Sequence, residues 1–215
     1  MNGSWEITKQ RSNYHFDNTK FDLEQDKVTY LGNIEPFWLS ELEAIKELAR
    51  PKTWRTRGQG SDRPGTEYDQ EDYDLEQFGY GKEFVVSDLT WEVPATFNCI
   101  VDWLGMDNCK MRLHVQRPGQ MWNLHLDKLE KWNPEDPSKV MRIMIALNDY
   151  EPGHFFSYGN YIHTGWRAGD VHTFDWQNIP HSTANAGHNP RITLQITGVK
   201  TSKTQEFFAK LSNKE

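Results

Sequence analysis

Arg191-Ile192-Thr193-Leu194-Gln195-Ile196 alternates polar and apolar residues over six positions. Successive side chains of a strand point to opposite faces, so Ile192, Leu194 and Ile196 share one face and Arg191, Thr193 and Gln195 the other. Met111–Arg117 repeats the pattern, with Arg112, His114 and Gln116 on its polar face. Strands that are apolar on one side and polar on the other fit a barrel whose inner face lines a wet site and whose outer face packs on helices.

Around these two stretches the texture is the same. Strands are predicted at Met111–Arg117, Met121–Leu126, Val140–Leu147, His154–Tyr158, Tyr161–Thr164, Asp170–Phe174, Ser182–Ala186 and Ile192–Val199. Turn signals such as Pro118-Gly119, Pro152-Gly153, Gly159-Asn160 and Ala168-Gly169 separate them. Many short strands with this punctuation suggest a sandwich or a jelly roll. Upstream, Glu35–Ala49 has helical spacing of Phe37, Leu42, Ile45 and Leu48, with Pro36 suited to a first turn. Pro94–Leu104 is predicted as a second helix ending at Gly105, and Ser202–Leu211 as a closing one. Thr53–Gly81 reads as a long loop, and Met1–Tyr30 is polar and carries no assignment.

The totals bound the class. A chain of 215 residues, 36% hydrophobic and 26% charged, with 9 Trp and 11 Phe, fits one globular domain over 1–215. Its parts are an N-terminal helical and loop support region over 1–110, a barrel over 111–200 and a C-terminal helix over 201–215. The net charge of −7 and the lack of a dense basic run disfavour nucleic acid as a partner. No apolar run reaches membrane-spanning length, so no membrane partner is expected. The opening residues lack the pattern of a signal peptide. Cys99 and Cys109 read as reduced thiols, which points to a cytoplasmic setting. The acidic stretch Asp62–Glu76 holds seven carboxylates. It reads as a solvated loop, as a flap that selects a polar or basic substrate, or as a scaffold's docking segment.

Chemistry concentrates at His125-Leu126-Asp127 and His181. Residues i and i+2 of a strand share a side, so His125 and Asp127 can converge on one ion while His181 arrives from a distant strand. Two imidazoles and a carboxylate on one face of iron(II), with the opposite face open, are the facial triad of non-haem iron oxygenases. The tripeptide alone is weak. With 8 His and 31 acidic residues in 215, about one His-x-acid match arises by chance. A second match, His15-Phe16-Asp17, lies in a stretch with no strand pattern. Arg191 sharpens the reading. A charge facing into an apolar barrel must be paired, by a ligand carboxylate in its guanidinium fork or by an internal salt bridge. Thr193, on the same face, adds a hydroxyl or merely fills a strand position. Trp122, Trp132, Trp166 and Trp176 flank these segments as pocket walls or as core.

Taken together, Arg112 to Gly198 resembles the 2-oxoglutarate- and iron(II)-dependent oxygenases, and within them the aspartyl/asparaginyl β-hydroxylase family. The residues that carry the resemblance are Arg117-Pro118-Gly119 before His125, Arg142–Leu147, Ala168-Gly169-Asp170-Val171, His181, Asn185 and Arg191. The resemblance implies a mainly β fold with flanking helices, a double-stranded β-helix of jelly-roll, cupin-like type. It implies iron ligands at His125, Asp127 and His181 as the catalytic centre, with Fe(II), 2-oxoglutarate and dioxygen as cofactor and co-substrates. Arg191 is implied to bind the far carboxylate of 2-oxoglutarate, with Arg142 and His114 also at the co-substrate. The implied activity is hydroxylation of an amino-acid side chain in a peptide, a protein or a free amino acid. Asp127 favours hydroxylation over halogenation, because family members lacking this carboxylate leave a coordination position for halide. The insertion Leu129–Lys139 leaves the substrate open. The alternative is a non-redox, cupin-like metal- or ligand-binding module, since the same ligands hold zinc.

Overall fold

The computed structural model describes residues 28–53, 84–127 and 129–212. His15-Phe16-Asp17 and the acidic stretch Asp62–Glu76 lie outside the described residues, as does nearly all of the loop predicted for Thr53–Gly81. In chain order the described strands are β1 (Thr29–Asn33), β2 (Arg50–Thr53), β3 (Val85–Thr90), β4 (Asp107–Gln116), β5 (Met121–His125) and β6 (Val140–Ala146), followed by β7 (His154–Tyr158), β8 (Tyr161–His163), β9 (Asp170–Thr173), β10 (His181–Asn185) and β11 (Arg191–Val199). The eight strands predicted from residue 111 onward are β4 to β11.

Two sheets result, one in the order β1-β9-β6-β11-β4-β3-β2 and the other in the order β5-β10-β7-β8. All of the strand pairs are antiparallel. From β4 onward the chain crosses between the sheets at almost every connection, so that β4, β6, β9 and β11 face β5, β7, β8 and β10. This is a double-stranded β-helix, a jelly roll with helices on one side, and β1, β2 and β3 widen its larger sheet.

The alternation of β11 decides what each face meets. Leu113, Val115, Ile143, Ile145, Ile192, Leu194 and Ile196 form one apolar face, each at most 3% exposed. They pack with Trp38, Phe97, Ile100, Leu104 and Leu211. Burying each Leu or Ile there contributes about 1.5–3 kcal/mol. Between the sheets lie the polar alternates together with a second cluster built on Met144, Phe156, Tyr158 and Phe174. The closed end of the barrel is tied by two bonds between sheets: Gln116 Nε2 donates to the Thr183 carbonyl (3.2 Å) and Asn185 Nδ2 to the Gln116 carbonyl (2.8 Å).

The two helices upstream of the barrel are shorter than predicted. In place of a helix over Glu35–Ala49 there is a 3-10 turn at Leu39–Glu41 and then α1 (Leu42–Lys46). The cause is Trp38, fully buried, whose indole N–H donates to the Leu147 carbonyl at 2.9 Å and draws the chain into the core before a helix can start. The Pro94–Leu104 prediction becomes a 3-10 turn at Ala95–Phe97 and α2 (Asn98–Leu104). Gly105 ends it in the left-handed conformation at φ 57°. The closing helix is α3 (Ser202–Ser212). Cys99 and Cys109 are free thiols. No helix among the described residues is long and apolar enough to cross a membrane.

Gly169 holds β1 against the barrel. Its N–H donates to the Ala146 carbonyl (2.8 Å) and its carbonyl accepts from the Ile34 N–H (2.9 Å). Its φ is +89°, and a Cβ there would lie 2.0 Å from the Ile34 carbonyl oxygen. Gly169→Ala is therefore expected to destabilise the fold by about 2–4 kcal/mol. Urea unfolding checks this; a midpoint within error of the parent's would refute it.

Candidate metal centre

β10 runs antiparallel to β5 with His181 directly opposite His125. Facing positions of such a pair bring side chains within reach of each other, which is how residues 56 apart in sequence meet. Their rings stand 4.4 Å apart between centroids, tilted by 52°. Asp127 lies just past the end of β5, where its N–H donates to the Trp176 carbonyl at 3.1 Å. That bond turns the chain so that the carboxylate meets both imidazoles. Asp127 Oδ1 lies 3.7 Å from His125 Nε2 and Oδ2 lies 3.5 Å from His181 Nε2. One ligand atom from each of the three residues lies within 4.8 Å of the others.

These separations suit a shared ion. A first-row divalent metal bonded at about 2.0–2.2 Å keeps adjacent ligand atoms about 3 Å apart, so small side-chain rotations close the shell. The outer nitrogen of His181, Nδ1, lies 3.2 Å from the Ile179 carbonyl. A proton on Nδ1 in that bond leaves the Nε2 lone pair facing the cluster, as a metal ligand requires. Phe174 and Phe156 pack on the His181 ring at 4.7 and 5.7 Å. Trp122 lies 5.9 Å from the His125 ring. These walls fix the rings and keep water from that side.

Arg142, on β6, points into the same space. Its Nη1 donates to Asp127 Oδ2 at 2.5 Å and its Nε to Thr197 Oγ1 at 3.1 Å. Burial is the largest single influence and pushes the Asp127 carboxyl up, but it is opposed by the Arg142 guanidinium, the hydrogen bond and charge of His181 and the charge of His125. Together they hold the carboxyl well below the usual carboxylate range. Asp127 is thus ionised at neutral pH, with Oδ1 free of the guanidinium.

Toward the closed end of the barrel stand Arg191, His114 and Thr193. Thr193 pairs across β11 and β4 with His114, and Arg191 with Gln116. Arg191 is 4% exposed, and burial pushes its guanidinium down to about 10, so it remains charged at neutral pH. No carboxylate among the described residues lies within ion-pairing range of it, and its Nε has no hydrogen-bond partner. His114 is buried with both ring nitrogens unpartnered. Burial, then Arg112 and Arg191, pushes it well below the usual histidine range, so it is neutral. Buried polar atoms seldom lack partners, and a lone buried charge costs several kcal/mol. Orphaned donors on this one surface fit an anion with hydrogen-bonding ends.

All seven residues singled out from the sequence line the space between the sheets. His125, Asp127 and His181 come together, Arg142 sits on Asp127, and His114, Thr193 and Arg191 lie on the β4–β11 pair. Two features had no counterpart in the sequence reading: the ion pair between Arg142 and Asp127, and the contact of Gln116 with Arg191 (3.1 Å). Only the place of Gln116 on the polar face of β4 hinted at the second.

No family model matches the chain, and neither does any curated protein. Solved structures do. A prolyl-4-hydroxylase from Pseudomonas putida is 17% identical, with 54% of this chain and 73% of that one covered at a TM-score of 0.41. A non-haem α-ketoglutarate-dependent carbocyclase from nogalamycin biosynthesis is 17% identical over 59% of this chain and 70% of that one, at 0.44. A Cupin 2 conserved barrel domain protein from Salinispora arenicola is 14% identical over 58% and 84%, at 0.34. Identities this low carry no residue from those proteins to this chain.

The buried ion pair yields a prediction for the metal-free protein. Arg142→Met leaves Asp127 buried without its counter-charge, so at pH 7 it is expected to cost about 3–5 kcal/mol. The parent's gain is present above the unfolded carboxyl's range and is lost only as pH falls to the depressed folded value. In the variant the carboxyl takes up a proton first. The stability gap should therefore narrow as pH drops from 7 toward 3; a gap constant across that range would contradict the ion pair.

Proposed function

We propose that the protein is an iron(II)- and 2-oxoglutarate-dependent oxygenase that hydroxylates an unactivated C–H bond of an amino-acid side chain, protein-borne or free. One observation carries the reading: a His-Asp-His cluster and a buried arginine without a carboxylate share one barrel interior, with an unpartnered histidine near them. Iron(II) held there supplies oxidation of the C–H bond by dioxygen, coupled to the splitting of 2-oxoglutarate into succinate and CO2.

The chain's residues provide the setting. His125, His181 and Asp127 hold the ion on one face and leave the other for ligands. Arg191 grips the far carboxylate of the co-substrate, where a charge-assisted, two-pronged contact restores the partner that the buried guanidinium lacks. His114 and Thr193 line the same pocket and complete its hydrogen bonds. Arg142 stays beside the co-substrate and also fixes Asp127 through Oδ2, so that Oδ1 remains for the metal. Phe156, Phe174 and Trp122 exclude water around the cluster. The order of the motifs supports a likeness to the aspartyl/asparaginyl β-hydroxylases. The setting is cytoplasmic, and neither nucleic acid nor membrane is a partner.

Incubation of the iron-loaded protein with 2-oxoglutarate, oxygen and libraries of peptides and amino acids should yield succinate and a product heavier by one oxygen atom. His125→Ala or His181→Ala should abolish metal binding and turnover. Arg191→Ala should leave metal affinity alone and weaken 2-oxoglutarate by about 10- to 150-fold. Zinc binding without any affinity for 2-oxoglutarate, and no succinate with any substrate, would favour a non-redox cupin-like module instead.

A further inference from the structure

Among the described residues, Arg191 is held by neutral groups. Gln116, fully buried, faces it across the β11–β4 pair, and Gln116 Oε1 accepts from Arg191 Nη1 at 3.1 Å. The amide end of the same side chain donates to the Thr183 carbonyl, which fixes the oxygen toward the arginine. On another side the guanidinium lies over the indole of Trp166, 5.3 Å from the ring centroid and within cation–π range. That indole is itself held, stacked at 8° on His154 and edge-on to Tyr150. His163, which also feels the Arg191 charge, is pushed down to about 4 by burial and then by its neighbour His172, so it adds no charge.

We infer that Gln116 and Trp166 are positioning residues that orient the Arg191 guanidinium without neutralising it, so that its charge is reserved for a ligand carboxylate. The inference rests on the proposed role of Arg191 as the 2-oxoglutarate receptor and names what keeps that receptor open. A buried arginine is ordinarily paired with an internal acid. At residue 116 glutamate would be nearly isosteric with the present glutamine, and its carboxylate would occupy the guanidinium as the ligand does. Neutrality at this position therefore decides whether the pocket takes an acid or satisfies itself. The indole face does the complementary part. It fixes the plane of the fork and stabilises the cation without offering it an anion.

The test compares Gln116→Glu with Gln116→Met in the zinc-loaded protein. Both variants lose the bond to the Thr183 carbonyl, and only glutamate brings a charge. Calorimetry would measure 2-oxoglutarate affinity, with zinc affinity followed in parallel. The expected result is a loss of up to about 10-fold for methionine and about 100-fold or more for glutamate, with zinc affinity unchanged in both. Equal losses for the two variants, or zinc affinity falling alongside, would make residue 116 merely structural and overturn the inference. Trp166→Leu is an independent arm on another segment. It should weaken 2-oxoglutarate by about 5- to 30-fold with zinc affinity intact, and an unchanged affinity would remove Trp166 from the cradle. If the parent protein binds zinc but no 2-oxoglutarate, the functional reading falls and takes the inference with it. Parent and Gln116→Glu binding alike would overturn the inference alone.

Discussion

The pairing of β5 with β10 sets His125 opposite His181, and the geometry of the interior follows from that register. A slip of one residue would turn every side chain of one strand to the other face and send one imidazole out of the barrel. The register is held on both sides. β10 also pairs with β7 through five consecutive residues, and between the sheets Gln116 donates to the Thr183 carbonyl and Asn185 to the Gln116 carbonyl. Asp127 needs no separate scaffold. It follows His125 by two residues, and its backbone is anchored to Trp176 in the segment that leads into β10. The same strands that close the barrel therefore bring the three polar groups together.

Charge inside the barrel is arranged unequally. Arg142 and Asp127 neutralise each other, whereas among the described residues Arg191 meets an amide oxygen and an indole face and no carboxylate. For stability alone this is a poor solution, because a buried cation without a counter-ion is costly. Local rules of this kind are broken where function requires it. The unpaired guanidinium and the unpartnered imidazole of His114 occupy neighbouring positions on the polar face of one sheet. Their shared deficit is what the proposed function would fill with an acid group that accepts hydrogen bonds and carries negative charge.

How far the sequence alone could reach varies from place to place. Most strands from β4 onward are legible because one face is apolar and turn residues bound them, whereas β10, His181–Asn185, has no apolar face. β4 begins earlier than predicted, at Asp107. Its polar start, Asp107–Lys110, is drawn into the strand by pairing with β11, where Lys110 faces Thr197 and Asp107 faces Val199. The helix expected over Glu35–Ala49 fails because helical spacing does not register that Trp38 finds its hydrogen bond in the core. β1, β2 and β3 gave little signal: β1 and β2 are short and partly exposed, and they form only because β9 and β3 offer edges. At the site, the period of two made His125 and Asp127 readable as a pair, and Arg191 stood out as a charge in an apolar strand. The contact of Arg142 with Asp127 spans the insertion Leu129–Lys139, and a polar residue such as Gln116 has no pattern that separates an arginine's partner from strand filler.

In the proposed function, residues 125, 127 and 181 bind one ferrous ion while Arg191 anchors a keto acid beside it. A crystal structure of the protein grown without oxygen, with iron(II) and 2-oxoglutarate, tests this most directly. The expected result is one ion bonded to Nε2 of His125, Nε2 of His181 and a carboxylate oxygen of Asp127, with the far carboxylate of 2-oxoglutarate on the Arg191 guanidinium. An ion bound elsewhere, or an Asp127 that stays on Arg142 with no metal between the imidazoles, would contradict it.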